Sequence, residues 1–281
     1  MSTTTVTLQQ GPEEITAHNV LRLFPDVQQS LSATHDTSTS HDDLAGYDEE
    51  QIKLMDEVCI VLDREDHPIG SASKKTCHLM SNINAGLLHR AFSVFLFDPD
   101  SKKLLLQQRA SEKITFPDMW TNTCCSHPLG VPSETGSTLD TAVMGVKRAA
   151  QRKLDQELGI SKAQVPINDF KFLTRIHYLA PSDGKWGEHE SKSTTTEGTI
   201  ADIDIVDYIL FIQAKVDLKI NPNEVQAAKY VSPDELKELF KQKDGLWTPW
   251  FRLICESFLF KWWQDLDNDP EQHKNEKIER L

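Results

Sequence analysis

The run His89-Arg90-Ala91-Phe92-Ser93-Val94-Phe95-Leu96-Phe97 constrains this chain most, because a stretch so rich in aromatic and aliphatic side chains predicts a strand. Asp98-Pro99-Asp100 turns the chain, and residues 103–109 supply a second strand. Residues 119–126 are extended by composition, and 170–179 and 206–214 read as further strands. Upstream, 50–57 reads as a short helix. The strand 58–62, a turn at 63–68 and extended chain at 69–72 then suggest a hairpin. Residues 139–158 have a helical period in Ala142, Val146, Ala149, Ala150, Leu154 and Leu158, with Gly159 as a stop. Ser232-Pro233-Asp234-Glu235 opens a helix with proline in its first turn and acids at its positive end. Thr248-Pro249-Trp250 opens another, running towards Trp263. Paired strands alternating with a few helices predict an α+β domain, a mixed sheet sandwiched by helices.

The 281 residues suit one large domain with extensions. Residues 1–45, with stretches such as SLSATHDTSTSHDD, are expected to be a disordered polar extension carrying one short helix at 19–24. The domain spans 46–268, and 269–281 is a charged tail, frayed or helical at the surface. Residues 191–205, polar and Thr-rich at their start, read as an exposed loop inserted in a hairpin and bulging outwards at its tip. Thirty Lys and Arg against 43 Asp and Glu give a net charge of −13, which argues against nucleic-acid and anionic-membrane partners. No apolar run approaches the ~18 residues of a membrane span. The first residues resemble no secretory or transit signal, so a cytoplasmic protein is expected. Five cysteines, an odd number, are expected to be free thiols.

Cys125 and His127 sit two apart in WTNTCCSHPL, so on extended chain they share a face, opposite Cys124 and Ser126. One reading is a reactive thiol with its pKa lowered by imidazoles or a cation. The other is a buried cysteine pair on a core strand followed by a surface histidine. Glu188 and Glu190 in WGEHE would aim two carboxylates at one point, to share a metal or simply to be solvated. With His78, His89 and His127 they would offer three nitrogen and two oxygen ligands, a set that suits a divalent ion. Lys74, Lys75, Arg109, Lys113, Arg148, Arg152 and Lys153 are basic residues near these motifs, able to bind a diphosphate or merely to form solvated faces.

Residues 152–160 compare with the Nudix box, G-x5-E-x7-R-E-U-x-E-E-x-G-U, where U is aliphatic. Arg152, Leu154, Glu157, Gly159 and Ile160 fit it, whereas Lys153, Gln156 and Met144 stand where acids belong. That loss disfavours hydrolysis but not the fold. Together with WTNTCCSHPL, HRAFSVFLF, LTRIHY and WGEHE, this degenerate box resembles the type 1 isopentenyl-diphosphate Δ-isomerases over residues 57–263, particularly those of eukaryotes.

The resemblance implies a Nudix-like fold and the interconversion of isopentenyl and dimethylallyl diphosphate by protonation at one carbon and deprotonation at another. It implies Cys125 and Glu190 as the acid/base groups, Tyr178 as a partner of Glu190, and Trp250 as the indole facing the reacting carbons. It implies a metal site of His78, His89, His127, Glu188 and Glu190, holding Mg²⁺, Mn²⁺ or Zn²⁺. A separate Mg²⁺ on the diphosphate would be held by Glu157. Lys74, Arg109, Lys113, Lys153 and Ser126 fall at substrate-contacting positions. The protein is expected to be a monomer or weak dimer acting on a small molecule. The alternatives are a Nudix-type diphosphatase and a non-catalytic prenyl-diphosphate binder. The polar stretch after Glu190 departs from the family pattern, which places the aliphatic strand almost immediately after that acid.

Overall fold

A computed structural model describes residues 13–29, 44–182, 201–242, 245–268 and 270–281. From the N-terminus, α1 (Val20–Leu23) precedes α2 (Glu49–Leu54), whose first amides donate to the Asp48 carboxylate. The expected hairpin is β1 (Val58–Leu62) with β2 (Pro68–Ser73), followed by the short helices α3 (Lys74–His78) and α4 (Met80–Asn84). β3 (Leu88–Phe97), β4 (Leu104–Arg109), β5 (Trp120–Thr121) and β6 (Cys124–Ser126) come before the long helix α5 (Leu139–Leu158). β7 (Lys171–Ser182) and β8 (Ala201–Gln213) pair antiparallel, and β9 (Val225–Val231) leads into α6 (Pro233–Lys241). α7 (Pro249–Ile254) continues through a π-helical turn at Cys255–Leu259 into α8 (Phe260–Gln264), and β10 (Ile278–Arg280) ends the chain.

β3 is the axis of this arrangement, and all ten of its residues are buried. One edge runs parallel to β8 from His89↔Ile205 to Phe97↔Gln213. The other edge is shared in turn by β1 at Leu88 and His89, by β6 at Phe92–Val94, and by β4 at Phe97. Strands therefore diverge along β3, and the gap between them opens into a cavity.

Alternation along β3 supplies two cores. Phe92, Val94 and Leu96 meet the stripe of α5 that the helical period predicted, from Ala142 to Leu158. Thr138 caps that helix and Gly159, at φ 64°, ends it in the left-handed region. Gly145 lets α5 approach the chain closely, since a Cβ there would lie 2.1 Å from the Glu134 carbonyl oxygen. On the other face Ala91, Phe95 and Phe97 pack with Trp250, Phe251, Trp262 and Trp263 of the C-terminal helices. Helices thus cover both faces of a mixed sheet, and among the described residues none is long and apolar enough to cross a membrane. The five cysteines are free thiols.

Three boundaries read from sequence need correction. Within the segment expected to be disordered, residues 13–29 pack. The helix expected at 19–24 is there, and Ile15, Val20, Phe24 and Val27 bury themselves against Cys59, Val61, Ile69 and Ala72, with Gln28 bridging to Ser71. The polar composition of residues 1–45 hides these few apolar anchors. The charged tail ends in a strand, because β10 pairs in parallel with Arg175–His177 and Arg280 donates to His177 Nδ1 at 2.6 Å. The last residues assigned to the inserted loop lie in β8, paired up to Ser182↔Ala201. The remainder, with the outward bulge, lies outside the described residues. Truncating a buried anchor tests the first correction: Phe24→Ala is expected to destabilise the protein by about 3 kcal/mol in urea unfolding. A solvated extension would leave the midpoint unchanged.

Candidate active site

The cavity beside β3 is lined by Lys74, His78, Ala91, Arg109, Lys113, Thr115, Phe116, Cys125, Ser126, His127, Lys153, Glu157, Tyr178, Ile205 and Trp250. It gathers most of the residues singled out in the sequence from six strands and helices. Its walls differ in chemistry.

Three imidazoles stand together. The C-terminus of α3 delivers His78, the start of β3 delivers His89, and the chain leaving β6 delivers His127. Their ring centroids are 4.8–4.9 Å apart, and one ligand atom from each lies within 4.8 Å of the others. His78 Nδ1 donates to the Lys74 carbonyl at 2.8 Å, which leaves Nε2 unprotonated and available as a ligand. Burial, then the neighbouring imidazoles, hold His78 and His127 well below the ordinary histidine range. Both are neutral at pH 7, as metal ligands must be. The trio therefore fits a divalent ion. Glu188 and Glu190, the carboxylates assigned to the same site, lie outside the described residues.

Cationic side chains line the rest of the polar wall, near enough that Lys74, Arg109 and Lys153 help hold the histidines down. Arg109 is fixed by donating to the Thr115 and Phe116 carbonyls, with Nη2 2.6 Å from the former. Lys153 pairs with Glu157 at 3.4 Å, one turn away on α5, and the buried Lys113 pairs with Glu224. Burial would raise the Glu224 carboxyl, but Lys113, then Lys153, hold it down to about 2. Burial also pushes the Lys113 ammonium down to about 8, against the pull of Glu224. Of the seven basic residues, Lys75, Arg148 and Arg152 do not line the cavity. Arg152 is held by Glu134 at 2.7 Å instead.

The remaining wall is apolar, and Cys125 belongs to it. Strand alternation divides the cysteine pair as expected: Cys124 turns into the α5 core, 3.6 Å from Glu157, and Cys125 faces the cavity. The suggestion of a lowered thiol pKa does not hold. Burial, then the Asp207 carboxylate, raise the Cys125 thiol far above its ordinary value, outweighing the Ser93 hydroxyl and Arg109. The thiol keeps its proton. The Trp250 indole donates to Asn122 Oδ1 at 3.1 Å, and the Asn122 amide donates to the Val94 and Cys124 carbonyls. That chain of bonds ties the indole to the cysteine strand, with Arg109 5.9 Å from its ring and Phe116 edge-on at 5.0 Å. Tyr178, buried on β7, pairs with Ile205 and lines the same wall.

Asn122, Asp207 and Glu224 were missed in the sequence. Only Asn122, adjoining the cysteine motif, carried a signal. Asp207 lies within an aliphatic strand and Glu224 within a polar loop, where nothing local separates a buried acid from a solvated one.

A mixed sheet covered by helices, with the degenerate box on α5 contributing Lys153 and Glu157 to the cavity, defines a Nudix-type domain. The profile of the NUDIX domain matches residues 87–251. The isopentenyl-diphosphate delta-isomerase of Aspergillus fumigatus is 64% identical over 283 aligned positions, covering 98% of each chain. That of Gibberella zeae is 61% identical, covering 99% of this chain and 98% of its own. The isopentenyl-diphosphate delta-isomerase 1 of Mesocricetus auratus is 48% identical, covering 87% of this chain and 98% of its own. The chain belongs to the isopentenyl-diphosphate delta-isomerase family. Adding a divalent ion to metal-stripped protein is expected to raise its melting temperature. His127→Ala is expected to remove most of that rise in a thermal-shift measurement.

Proposed function

We propose that Cys125 and Glu190 are the proton-transfer groups with which this chain interconverts isopentenyl and dimethylallyl diphosphate. The observation that carries this reading is a buried Cys125 thiol that keeps its proton, in a cavity that Lys74, Arg109, Lys113 and Lys153 also line. A diphosphate held by these cations would lay a five-carbon chain along Cys125, Tyr178 and Trp250.

Lys74, Arg109, Lys113, Lys153 and Ser126 would bind the diphosphate, so that binding energy far from the reacting carbons holds the alkene in place. Glu157 would carry a Mg²⁺ that neutralises part of the diphosphate charge. The three histidines with Glu188 and Glu190 would hold the second divalent ion, which tunes the proton affinity of its carboxylate ligand. Cys125 and Glu190 would face opposite sides of the alkene, one giving a proton and the other removing one. Protonating an alkene generates a tertiary carbocation. The Trp250 indole face would stabilise it by on the order of 2 kcal/mol in a dry site. Buried walls also keep water from capturing the cation. β7 and β8 continue for four pairs past Tyr178↔Ile205, about 13 Å, before the undescribed segment. Eight Cα–Cα steps lead from Ser182 to Glu190, a contour of about 26 Å, so chain length permits the carboxylate to return to the cavity.

Lys153 argues against a diphosphatase. It pairs with Glu157 where the Nudix box has an acid, placing a cation among the positions that would otherwise collect a hydrolytic metal.

Cys125→Ala and Glu190→Gln are each expected to reduce isomerisation by about 10²–10⁴-fold, measured by product formation in folded protein. A Cys125→Ala variant with undiminished turnover would sink the assignment. Because Lys113 is positively charged below about 8 and neutral above it, kcat/KM for isopentenyl diphosphate is expected to fall as pH rises through that value. Lys113→Arg, whose guanidinium stays charged, should move this limb to higher pH.

A further inference from the structure

Asp207 has no part in the chemistry described so far, yet it occupies the cavity side of the sheet. Alternation along β8 places it between Ile205 and Ile209, on the face that packs towards Tyr178 and Trp250. It is fully buried, and among the described residues its Oδ1 has no hydrogen-bond partner. Its other oxygen accepts from the Ser93 hydroxyl at 2.8 Å. Ser93 is paired across the sheet with Cys125, and its hydroxyl lies beside the thiol, where it acts to lower the thiol pKa. A continuous line thus runs from the Cys125 sulfur through one hydroxyl to a carboxyl group. Burying a carboxyl with one oxygen unsatisfied opposes folding, and a leucine would pack the same face of β8 without that penalty.

We propose that Asp207 is a positioning residue for the isomerisation, acting through the Ser93 hydroxyl to set the direction in which the Cys125 sulfur hydrogen-bonds. A hydroxyl has one proton to give. When Asp207 is ionised, Ser93 donates to it and presents a lone pair towards the thiol, which then donates its S–H. When Asp207 is protonated, it donates to Ser93, and the Ser93 proton turns towards the sulfur. The first arrangement suits a cysteine that carries its proton, and the second suits one that has delivered it. Burial, opposed by the Ser93 bond, pushes the Asp207 carboxyl up to about 7, so both arrangements are accessible near neutrality. Neither Ser93 nor Asp207 is among the residues that line the cavity, so their influence passes through the thiol and belongs in turnover rather than in substrate capture.

This inference rests on the assignment of Cys125 made above. The test is steady-state kinetics with isopentenyl diphosphate and Mg²⁺ on the full chain carrying Asp207→Asn, Ser93→Ala or both, with Cys125→Ala measured in parallel. Each single change is expected to lower kcat at least about tenfold, the scale of one hydrogen bond to a charged group, and leave KM within about twofold. The double variant should be no slower than the slower single one, because both act along one line. Losses that multiply in the double variant, or a KM that rises in step, would overturn the proposal by reducing both residues to packing. If Asp207→Asn does not fold, Ser93→Ala decides, with Ser93→Thr as the variant that keeps the hydroxyl. An alanine variant as fast as the parent overturns the proposal, and loss in alanine with recovery in threonine supports it. Activity lost in Cys125→Ala but untouched in the Ser93 and Asp207 variants removes this inference alone. Activity retained in Cys125→Ala removes the cysteine assignment and this inference with it.

Discussion

The register of β3 against β8 is the constraint on which the rest depends. β3 is buried along its whole length, so a slip of one residue would exchange its two faces and drive Phe92, Val94 and Leu96 out of the α5 core. The apolar residues of one face thereby hold the chemistry of the other in place. His89 sits beside Ile205, Ser93 beside Cys125, and Asp207 next to Ala91. Because β1, β6 and β4 take turns along the second edge, the strands separate just where these side chains point, and the cavity follows from that divergence.

The polar and apolar walls of the cavity answer different electrostatic problems. On the polar wall, buried Lys113 and Lys153 are each offset by one acid, Glu224 and Glu157, so the positive cluster tolerates burial before any diphosphate arrives. Along the apolar wall burial outweighs what Ser93 and Arg109 offset at the thiol, and the thiol and the Tyr178 phenol are both pushed towards their neutral forms. A wall that keeps its acids protonated suits proton transfer to carbon. The acids that a Nudix hydrolase would use to assemble metal against the anhydride have given way, in this chain, to Lys153, Gln156 and Met144.

Much of this was legible in the sequence because the signals were local. The period of 139–158 named the α5 stripe residue by residue, alternation in WTNTCCSHPL separated Cys124 from Cys125, and the motifs named the three histidines that meet. What stayed hidden depends on distant partners. Asp207 looks like a strand acid until β3 places Ser93 beside it, and Glu224 looks like loop solvent exposure until the chain after β4 brings Lys113 against it. The N-terminal anchors Val20 and Phe24 were too few to outweigh their polar surroundings. The raised thiol pKa was misjudged because sequence shows neighbouring cations but not the desolvation that outweighs them.

The central claim is that this cavity moves protons on carbon and leaves the phosphoanhydride intact. Its most direct test is to incubate the protein with isopentenyl diphosphate and Mg²⁺ in D₂O, follow carbon-bound deuterium by NMR, and assay free phosphate in the same sample. The account predicts dimethylallyl diphosphate carrying deuterium in a methyl group, with no phosphate released. Phosphate release without isomerised product would contradict it.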